Sequence, residues 1–225
     1  MYFKTALLLI FTLLVNTTKL WAQLPKGFCY VKDIVPTIEI DLRYYTNNNF
    51  TGVPVKAYQC PVLISTISVA KALQKVQAEL ATQGLGLKIY DAYRPQTAVD
   101  YFVKWAKKIS DTLMKRQYYP NIDKSNLFKL GYIASKSGHS RGSSVDLTLI
   151  RLNTLEELDM GSPYDFFGKS SHLSYTKLTQ KQRKNRSILK SIMFKHGFKP
   201  YKNEWWHFSL KNEPFPKTYF DFPVK

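Results

Sequence analysis

Acidic residues are scarce in this sequence. Only 16 of its 225 residues are aspartate or glutamate, against 33 lysines and arginines, and the formal net charge is +17. Such a charge favours anionic surroundings, which include envelope polymers, lipid headgroups and nucleic acid. The basic residues are scattered, and no nucleic-acid-binding motif accompanies them. We therefore expect electrostatic association with an anionic cell envelope and no nucleic-acid partner.

Cysteine is nearly absent as well, since Cys29 and Cys60 are the only two. Neither lies in a CxxC motif, which argues against a cysteine-based zinc or redox site. In an exported protein, two cysteines either form one disulfide or remain as separate buried thiols. The sequence leaves both alternatives open.

Long apolar runs are missing except near the N-terminus. There Lys4 precedes an apolar run at residues 6–15, and Ala22 offers a small residue for cleavage. This order is typical of a secretory signal peptide, because the run is shorter than the roughly 20 residues of a membrane-spanning helix. We expect residues 1–22 to be a signal peptide and the mature protein to be periplasmic or secreted. An uncleaved N-terminal anchor is the alternative.

No Gly/Ser linker, repeat or low-complexity tract divides residues 23–225, so we expect one domain there. Apolar periodicity predicts helices at about 65–83, 96–115 and 179–196, and strands at 85–90, 144–150 and 204–210. These elements alternate without a regular βαβ rhythm. The pattern favours an α+β fold with a mostly antiparallel central sheet flanked by helices.

One stretch, residues 137–146, reads Ser-Gly-His-Ser-Arg-Gly-Ser-Ser-Val-Asp and contains His139 and Asp146. A second histidine, His207, lies near the C-terminus. Two imidazoles and one carboxylate, with a position left for water, are ligands of catalytic zinc, whereas magnesium and calcium prefer all-oxygen sites. We therefore expect these three side chains to hold one Zn²⁺ per chain.

Glu204 lies three residues before His207 in the sequence Glu-Trp-Trp-His. A zinc hydrolase needs such a spare carboxylate to accept the proton of the attacking water. On a regular strand the two side chains would face opposite sides, because their spacing is odd. We expect Glu204 on a turn and His207 on the strand after it, with Trp205 and Trp206 walling the site against water.

A competing motif overlaps the first stretch. Residues 138–142 match G-x-S-x-G, the nucleophile elbow of serine hydrolases, and Ser140 would then act with Asp146 or Asp165 and with His207. That motif requires a strand, a sharp turn and then a helix. The residues that follow the motif here have the pattern of a strand, which argues against a serine nucleophile.

Arg94 ends a predicted strand, and the following Pro95 keeps it out of helical geometry. Such an arginine is either part of an ordinary salt bridge or a fixed cation aimed at the oxygen of a bound amide, where negative charge develops during hydrolysis. The spacing alone does not decide between them.

Taken together, the two histidine motifs resemble the signature of the zinc D-Ala-D-Ala dipeptidases of the vancomycin-resistance type. The likeness covers essentially the whole mature chain. One departure is Ser144, which stands where the family pattern has alanine. Further stretches that resemble the family are residues 49–52, 90–95, 118–123, 160–162, 164–166 and 219–225.

This resemblance implies a zinc metallopeptidase that hydrolyses D-alanyl-D-alanine to D-alanine. Glu204 would be the general base, and Arg94 would polarise the scissile carbonyl. The implied zinc ligands are the three side chains already singled out: His139, Asp146 and His207.

The resemblance also implies residues that bind the two ends of the dipeptide. Ser137 and Tyr58 would bind its carboxylate, whereas Asp165, with help from Asp146 and the backbone carbonyl of Tyr44, would bind its amino group. Such a site measures length, because a longer peptide would leave a buried charge unpaired.

The signal peptide sets this chain apart from the resistance enzymes, which act in the cytoplasm on D-Ala-D-Ala before it enters wall precursors. An exported enzyme would scavenge or trim the dipeptide outside the cytoplasmic membrane. Two alternatives remain: a D,D- or L,D-carboxypeptidase acting on larger peptidoglycan peptides, and a non-catalytic peptidoglycan-binding protein.

Overall fold

A computed structural model describes residues 24–225 of the chain. The predicted signal peptide at residues 1–22 lies outside this part. Within it, no helix combines the length and the apolar character that a membrane crossing would need.

The described residues form seven strands and five helices, with short 3₁₀ turns between them. The strands are β1 (Phe28–Tyr30), β2 (Glu39–Ile40), β3 (Ile64–Thr66), β4 (Leu85–Asp91), β5 (Ser144–Arg151), β6 (Phe198–Tyr201) and β7 (Glu204–Leu210). The helices are α1 (Val31–Ile34), α2 (Ile67–Ala81), α3 (Gln96–Lys107), α4 (Lys115–Tyr118) and α5 (Gln180–Lys195).

Five strands form one sheet in the order β2-β4-β5-β7-β6. Strand β2 pairs with β4 in parallel, and the other three pairings are antiparallel. Strands β1 and β3 form a separate antiparallel pair. The predicted α+β fold, with a mostly antiparallel central sheet, is confirmed.

Helices α2 and α5 pack against the central sheet in one large apolar cluster. The predicted apolar stripe of α2 is fully buried in it. Alternate residues of β5, which are Val145, Leu147 and Leu149, belong to the same cluster. Since side chains alternate across a strand, the intervening Asp146 must project from the opposite face. The sheet thus separates its packed face from the face that carries polar residues.

A second cluster, rich in aromatic rings, lies around α3. Phe50 is at its centre, with ring centroids 4.8 Å from Phe102, 4.9 Å from Trp105 and 5.1 Å from Phe167. Such tilted contacts between rings add to the free energy gained from burying their area. This cluster packs against the segment that contains Arg94.

Helix α3 is shorter than predicted, because it ends at Lys107 rather than near residue 115. A buried lysine from a later part of the chain contacts the segment that follows this end. The ammonium group of Lys124 donates to the carbonyl oxygens of Lys108 (2.9 Å) and Asp111 (2.7 Å), and lies 3.9 Å from the ring centroid of Trp105. A cation at the carboxyl end of a helix satisfies carbonyl groups that lack partners there.

The C-terminal segment, residues 213–225, binds two parts of the chain together. The backbone N–H of Phe220 donates to the carbonyl oxygen of Ser140 (2.8 Å), and the Phe220 carbonyl accepts from Gln96 N–H at the start of α3 (3.0 Å). The ring of Phe222 stacks on Tyr93 with centroids 4.0 Å apart. The segment therefore fixes the turn at residue 140 relative to the strand end at residue 93.

Cys29 and Cys60 are separate thiols in the described structure. Burial and the nearby charge of Asp33 raise the pKa of the Cys29 thiol to about 11. A thiol with so high a pKa is a poor nucleophile at neutral pH. Of the two alternatives left open by the sequence, the structure has the unbonded one.

The contact of Asp221 with α3 leads to a prediction about stability. Its carboxylate accepts from the backbone N–H of Thr97 (2.6 Å) and from the Thr97 hydroxyl (2.7 Å), in the first turn of the helix. We expect Asp221→Ala to lower the free energy of unfolding by about 1 kcal/mol, as loss of a helix cap does. Urea denaturation followed by tryptophan fluorescence measures this change.

The matched control for this substitution is Asp221→Asn, which keeps one oxygen for the Thr97 N–H and should lose less stability. An Asp221→Ala variant as stable as the natural protein would contradict the proposed role of the C-terminal segment.

Candidate active site

Three side chains converge on the polar face of the sheet. His139 lies on the 3₁₀ turn His139–Arg141, and Asp146 and His207 lie directly opposite each other on β5 and β7. Opposed residues on neighbouring strands bring their side chains close together. One nitrogen or oxygen atom of each side chain lies within 4.8 Å of the others. The sequence-predicted metal ligands are therefore brought together.

The atoms of this triad have the arrangement that a metal requires. His207 Nδ1 lies 3.0 Å from Asp146 Oδ1, and His139 Nε2 lies 3.2 Å from His207 Nδ1 and 3.3 Å from Asp146 Oδ1. His139 Nδ1 lies 2.7 Å from the Ala92 carbonyl oxygen, to which it donates. That hydrogen bond leaves the Nε2 lone pair available. Two nitrogens and one carboxylate oxygen at these distances fit a single zinc ion.

Two glycines shape the turn that carries His139. Gly142 has φ of 67°, a left-handed conformation that favours glycine, and a Cβ atom there would collide with the ring of Phe28. A Cβ atom at Gly138 would collide with the hydroxyl of Ser144. The glycines of the motif thus let the chain turn sharply next to β5.

Arg94 is fixed by Asp91, a residue that the sequence did not single out. The carboxylate oxygen Oδ2 of Asp91 accepts from Arg94 Nε at 2.8 Å, and Arg94 Nη2 lies 3.5 Å from Asp146 Oδ2. Asp91 reaches this face because the register shifts between Ile89 and Asp91, which places Asp91 opposite Asp146. Such a bulge turns a side chain to the other face of a sheet. The one signal in the sequence was the spacing of three between an aspartate and an arginine at a strand end.

Glu204 also lies in the site, although not on the predicted turn. It is the first residue of β7, and its Oε2 lies 3.9 Å from His207 Nδ1. Glu204 and His207 can face the same side despite their odd spacing, because the pairing of β7 with β6 shifts. Tyr201 lies opposite Glu204, whereas Pro200 lies opposite Phe208. The irregular stretch breaks the alternation of side chains, so Glu204 and His207 face one cavity.

Charge and burial prepare Glu204 for proton transfer. Burial, together with the negative charges of Asp146 and Asp165, raises the pKa of Glu204 well above its usual value, against the opposing effect of Arg94. A carboxylate with a raised pKa is a stronger base and holds a proton more readily. Asp146 behaves differently: although burial opposes its ionisation, the charges and hydrogen bonds of the two histidines lower its pKa.

The prediction that Trp205 and Trp206 wall the site is wrong. Both are buried, and neither lines the cavity. Trp205 Nε1 donates to the hydroxyl of Ser162 (3.0 Å), and Trp206 packs edge-on against Tyr164 with centroids 5.5 Å apart. The tryptophans support the sheet next to the site, because the irregular pairing of β7 aims both rings into packed interior.

The serine-nucleophile alternative does not fit the geometry. Ser140 is fully buried, and within residues 24–225 its hydroxyl has no hydrogen-bond partner. A nucleophilic serine needs a histidine within hydrogen-bond reach. The chain also continues into strand β5 rather than into a helix. The G-x-S-x-G pattern here forms a backbone turn and not a nucleophile elbow.

Asp165 lies at another wall of the site, in a left-handed backbone conformation with φ of 58°. Its Oδ2 accepts from the Tyr44 hydroxyl at 2.9 Å. Burial and the negative charge of Asp146 raise its pKa to about 8, although Arg94 opposes this. No lysine or arginine in the described chain forms an ion pair with Asp165, so a bound ammonium group would supply its missing counter-charge. The predicted role of the Tyr44 carbonyl is less direct, because that oxygen accepts from Val55 N–H (2.8 Å).

A cavity of about 250 Å³ joins these groups. Ser137 lines it, while the Ser137 hydroxyl accepts from the backbone N–H of His139 (3.2 Å). The structure thus brings eight of the nine sequence-predicted site residues to one cavity. They are Tyr44, Arg94, Ser137, His139, Asp146, Asp165, Glu204 and His207.

Tyr58 is the exception, because it does not line the cavity. It is buried, and its hydroxyl donates to Asp91 Oδ1 at 2.8 Å, on the carboxylate that also holds Arg94. Backbone pairing with Val224 of the C-terminal segment fixes Tyr58 at this position. In this structure Tyr58 therefore helps to hold the Asp91 carboxylate that positions Arg94.

Comparison with known proteins identifies the family of this chain. Residues 25–225 match the family model Peptidase_M15, described as D-ala-D-ala dipeptidase. A D-alanyl-D-alanine dipeptidase of Enterococcus faecium is 46% identical over 199 residues, which are 88% of this chain and 98% of that protein. One from Streptomyces coelicolor is 43% identical over 197 residues, again 88% and 98% of the two chains.

Among solved structures, the chain is similar to a point mutant of the vancomycin resistance D,D-pentapeptidase VanY in complex with Zn(II). The identity is 13% and the TM-score 0.41, over 67% of this chain and 74% of that one. Family membership depends on the sequence matches, which span nearly the full length of both relatives. On that evidence, the chain belongs to the D-Ala-D-Ala dipeptidase family, Peptidase_M15.

Proposed function

We propose that this protein is a zinc-dependent dipeptidase that hydrolyses D-alanyl-D-alanine to D-alanine. One observation carries the proposal: the metal-ligand triad, the basic carboxylate of Glu204 and the guanidinium of Arg94 all line one small cavity. Those are the parts that metal-assisted hydrolysis of an amide requires.

His139, Asp146 and His207 would hold the zinc ion, which when bound activates water and polarises a carbonyl group. Glu204 accepts the proton of the attacking water and then donates it to the nitrogen of the leaving amine. Arg94 donates hydrogen bonds to the carbonyl oxygen as negative charge grows on it. Asp91 keeps Arg94 in place, since it is a fully buried carboxylate 2.8 Å from the guanidinium.

The size and charge of the cavity favour a dipeptide over a longer peptide. Its volume of about 250 Å³ lies below the range of about 300–1,000 Å³ that is common for ligand pockets. Asp165 fits the free amino group of a dipeptide, and a longer peptide would place a neutral amide there. The buried carboxylate would then lack a cation, which is unfavourable. This argues against a carboxypeptidase acting on larger peptidoglycan peptides.

A non-catalytic peptidoglycan-binding role is also disfavoured. All three metal ligands, Glu204 and Arg94 are present and face the same space. A protein that only bound peptidoglycan would have no use for a buried general base with a raised pKa.

We infer further that residues 1–22 are a signal peptide and that the enzyme acts outside the cytoplasmic membrane. Supporting this, the family match begins at residue 25, and 98% of each relative's length is matched by 88% of this chain. The segment before residue 25 therefore lies outside the matched family model. Loss of Lys4 and Lys19 with the signal peptide would reduce the formal net charge from +17 to about +15, which would still hold an exported enzyme near anionic envelope polymers. There it would trim or scavenge D-Ala-D-Ala in wall turnover.

The role of Glu204 can be tested by Glu204→Gln, which keeps the shape and removes the base. We expect turnover of D-Ala-D-Ala to fall by about 10²–10⁴-fold, because proton transfer is lost. Bound zinc, measured by atomic absorption, should stay at about one ion per chain, since this residue is not a ligand. Glu156→Gln, an exposed glutamate that does not line the cavity, is the control. Normal turnover in the zinc-loaded Glu204 variant would rule out this base.

The metal site can be tested by removing and restoring the ion. Chelation should abolish hydrolysis, and about one equivalent of Zn²⁺ should restore it. Zinc should also raise the melting temperature, since binding to the native state alone stabilises it. In Asp146→Asn, which loses one charged ligand, the thermal shift should occur only at much higher zinc concentrations. Equal shifts in both proteins, or full activity without metal, would contradict the assignment.

The location can be tested by expressing the full chain in bacterial cells and separating cytoplasm from envelope and medium. We expect the protein outside the cytoplasm, with a mature N-terminus at Gln23 by mass spectrometry. A chain that begins with Met followed by residue 23 is the control, and it should stay in the cytoplasm. Recovery of the uncleaved chain from the cytoplasm would disprove export.

A further inference from the structure

The active-site cavity contains a cation for which the proposed mechanism has no role. We propose that Lys136 is a specificity-determining residue whose ammonium group binds the C-terminal carboxylate of the dipeptide. The inference rests on the proposed function, and it identifies how one end of that substrate is recognised.

The charges on the cavity wall lead to this assignment. Besides the histidines, the ionisable charged side chains that line the cavity are Arg94, Lys136, Asp146, Asp165 and Glu204. Arg94 is held by Asp91 at 2.8 Å and lies 3.5 Å from Asp146. Lys136, in contrast, forms no ion pair with any carboxylate in residues 24–225. Its charge is therefore available to an anion that enters the cavity.

Lys136 is an exposed residue that lines the cavity, and its ammonium group packs against an aromatic ring. Lys136 Nζ lies 4.6 Å from the ring centroid of Tyr219, and a cation over a ring face is held there electrostatically. The Tyr219 hydroxyl accepts from Arg141 Nη1 (3.2 Å), and Arg141 in turn pairs through Nη2 with Glu213 Oε1 (2.8 Å). Because the ring occupies only one side of the ammonium group, N–H groups of Lys136 on the other side remain free to donate to a ligand.

The carboxylate of the dipeptide needs such a cation. Of the two hydroxyl donors expected at this end, Tyr58 is buried behind Arg94, and only Ser137 lines the cavity. One neutral hydroxyl does not compensate a carboxylate for the water that it loses on entering the cavity. Lys136 precedes Ser137 directly in the chain, and a charge-assisted hydrogen bond is about twice as strong as a neutral one. The two residues together form a site for a carboxylate.

A competing interpretation is that Lys136 is one of the many solvated surface lysines of a basic protein. The two interpretations differ in one respect: only the first makes the loss of Lys136 depend on the negative charge of the substrate. The test therefore compares D-Ala-D-Ala with D-alanyl-D-alaninamide, which has the same scissile bond and no terminal carboxylate.

We expect Lys136→Met to raise KM for D-Ala-D-Ala by about tenfold or more, as loss of a charge-assisted hydrogen bond does, with little change in kcat. For the amide, kcat/KM should stay within about twofold, the size of change expected when no interaction is lost. Lys136→Arg, which keeps the charge, should recover most of the affinity for the dipeptide. The KM of the natural protein for the dipeptide should also rise with salt more steeply than that of Lys136→Met.

The control is Lys129→Met, which removes the same charge from an exposed position on the same loop that does not line the cavity. If Lys136→Met behaves as this control does, or impairs dipeptide and amide equally, the proposal is overturned. If the natural zinc-loaded protein does not hydrolyse D-Ala-D-Ala at all, the proposed function fails first, and the role of Lys136 fails with it. The two failures are thus distinguished by the natural protein alone.

Discussion

The site depends on the electrostatic cost of placing four carboxylates around one cavity. Asp91, Asp146 and Asp165 are buried and Glu204 is partly buried, and Arg94 is the one guanidinium of the described chain that forms an ion pair with any of them. Asp91 and Asp146 share the arginine and the histidines. Although burial opposes it, the two histidines lower the pKa of Asp146, whereas burial raises the pKa values of Asp91, Asp165 and Glu204 against the opposing charge of Arg94. Such raised values indicate negative charge without enough compensation. A divalent cation and a substrate ammonium group would relieve that imbalance, so metal and substrate are expected to reinforce each other's binding.

Irregular backbone segments, rather than regular strands, bring these charged side chains together. The bulge before Asp91 brings it opposite Asp146, and the shifted pairing of β7 turns Glu204 towards His207. Gly142 closes the turn behind His139 in a conformation that other residues adopt at a cost. Each departure from ideal geometry is placed next to the cavity, where it serves the position of one side chain. The regular part of β5 keeps its apolar face packed against α2 and α5. The domain thus combines a regular, packed face with an irregular, polar one.

The correct predictions from the sequence rest on local patterns. The apolar stripe of α2 and the alternation of β5 needed no tertiary information, and the metal ligands were recognisable from their residue types and context. The errors arose where distant residues decide. Lys124 contacts carbonyl groups just after the end of α3, Val224 pairs with the backbone of Tyr58, and a bulge brings Asp91 opposite Asp146. None of these contacts leaves a periodic trace in the sequence, so only the folded structure could reveal them.

The proposed binding of both ends of a dipeptide would make this site discriminate by length rather than by side chain. A free dipeptide is a zwitterion, and its charges are separated by the short backbone between them. Asp165 and Lys136, which both line the cavity, offer opposite charges to such a molecule. A peptide extended at its amino end replaces the ammonium charge by a neutral amide, and the buried Asp165 would then lose its partner. An unpaired buried charge costs more free energy than a few added methyl contacts provide. The site should therefore exclude longer peptides more strongly than it selects alanine side chains. By the same reasoning, the polar residues that line the cavity would determine specificity, while the aromatic cluster around α3 makes the site rigid.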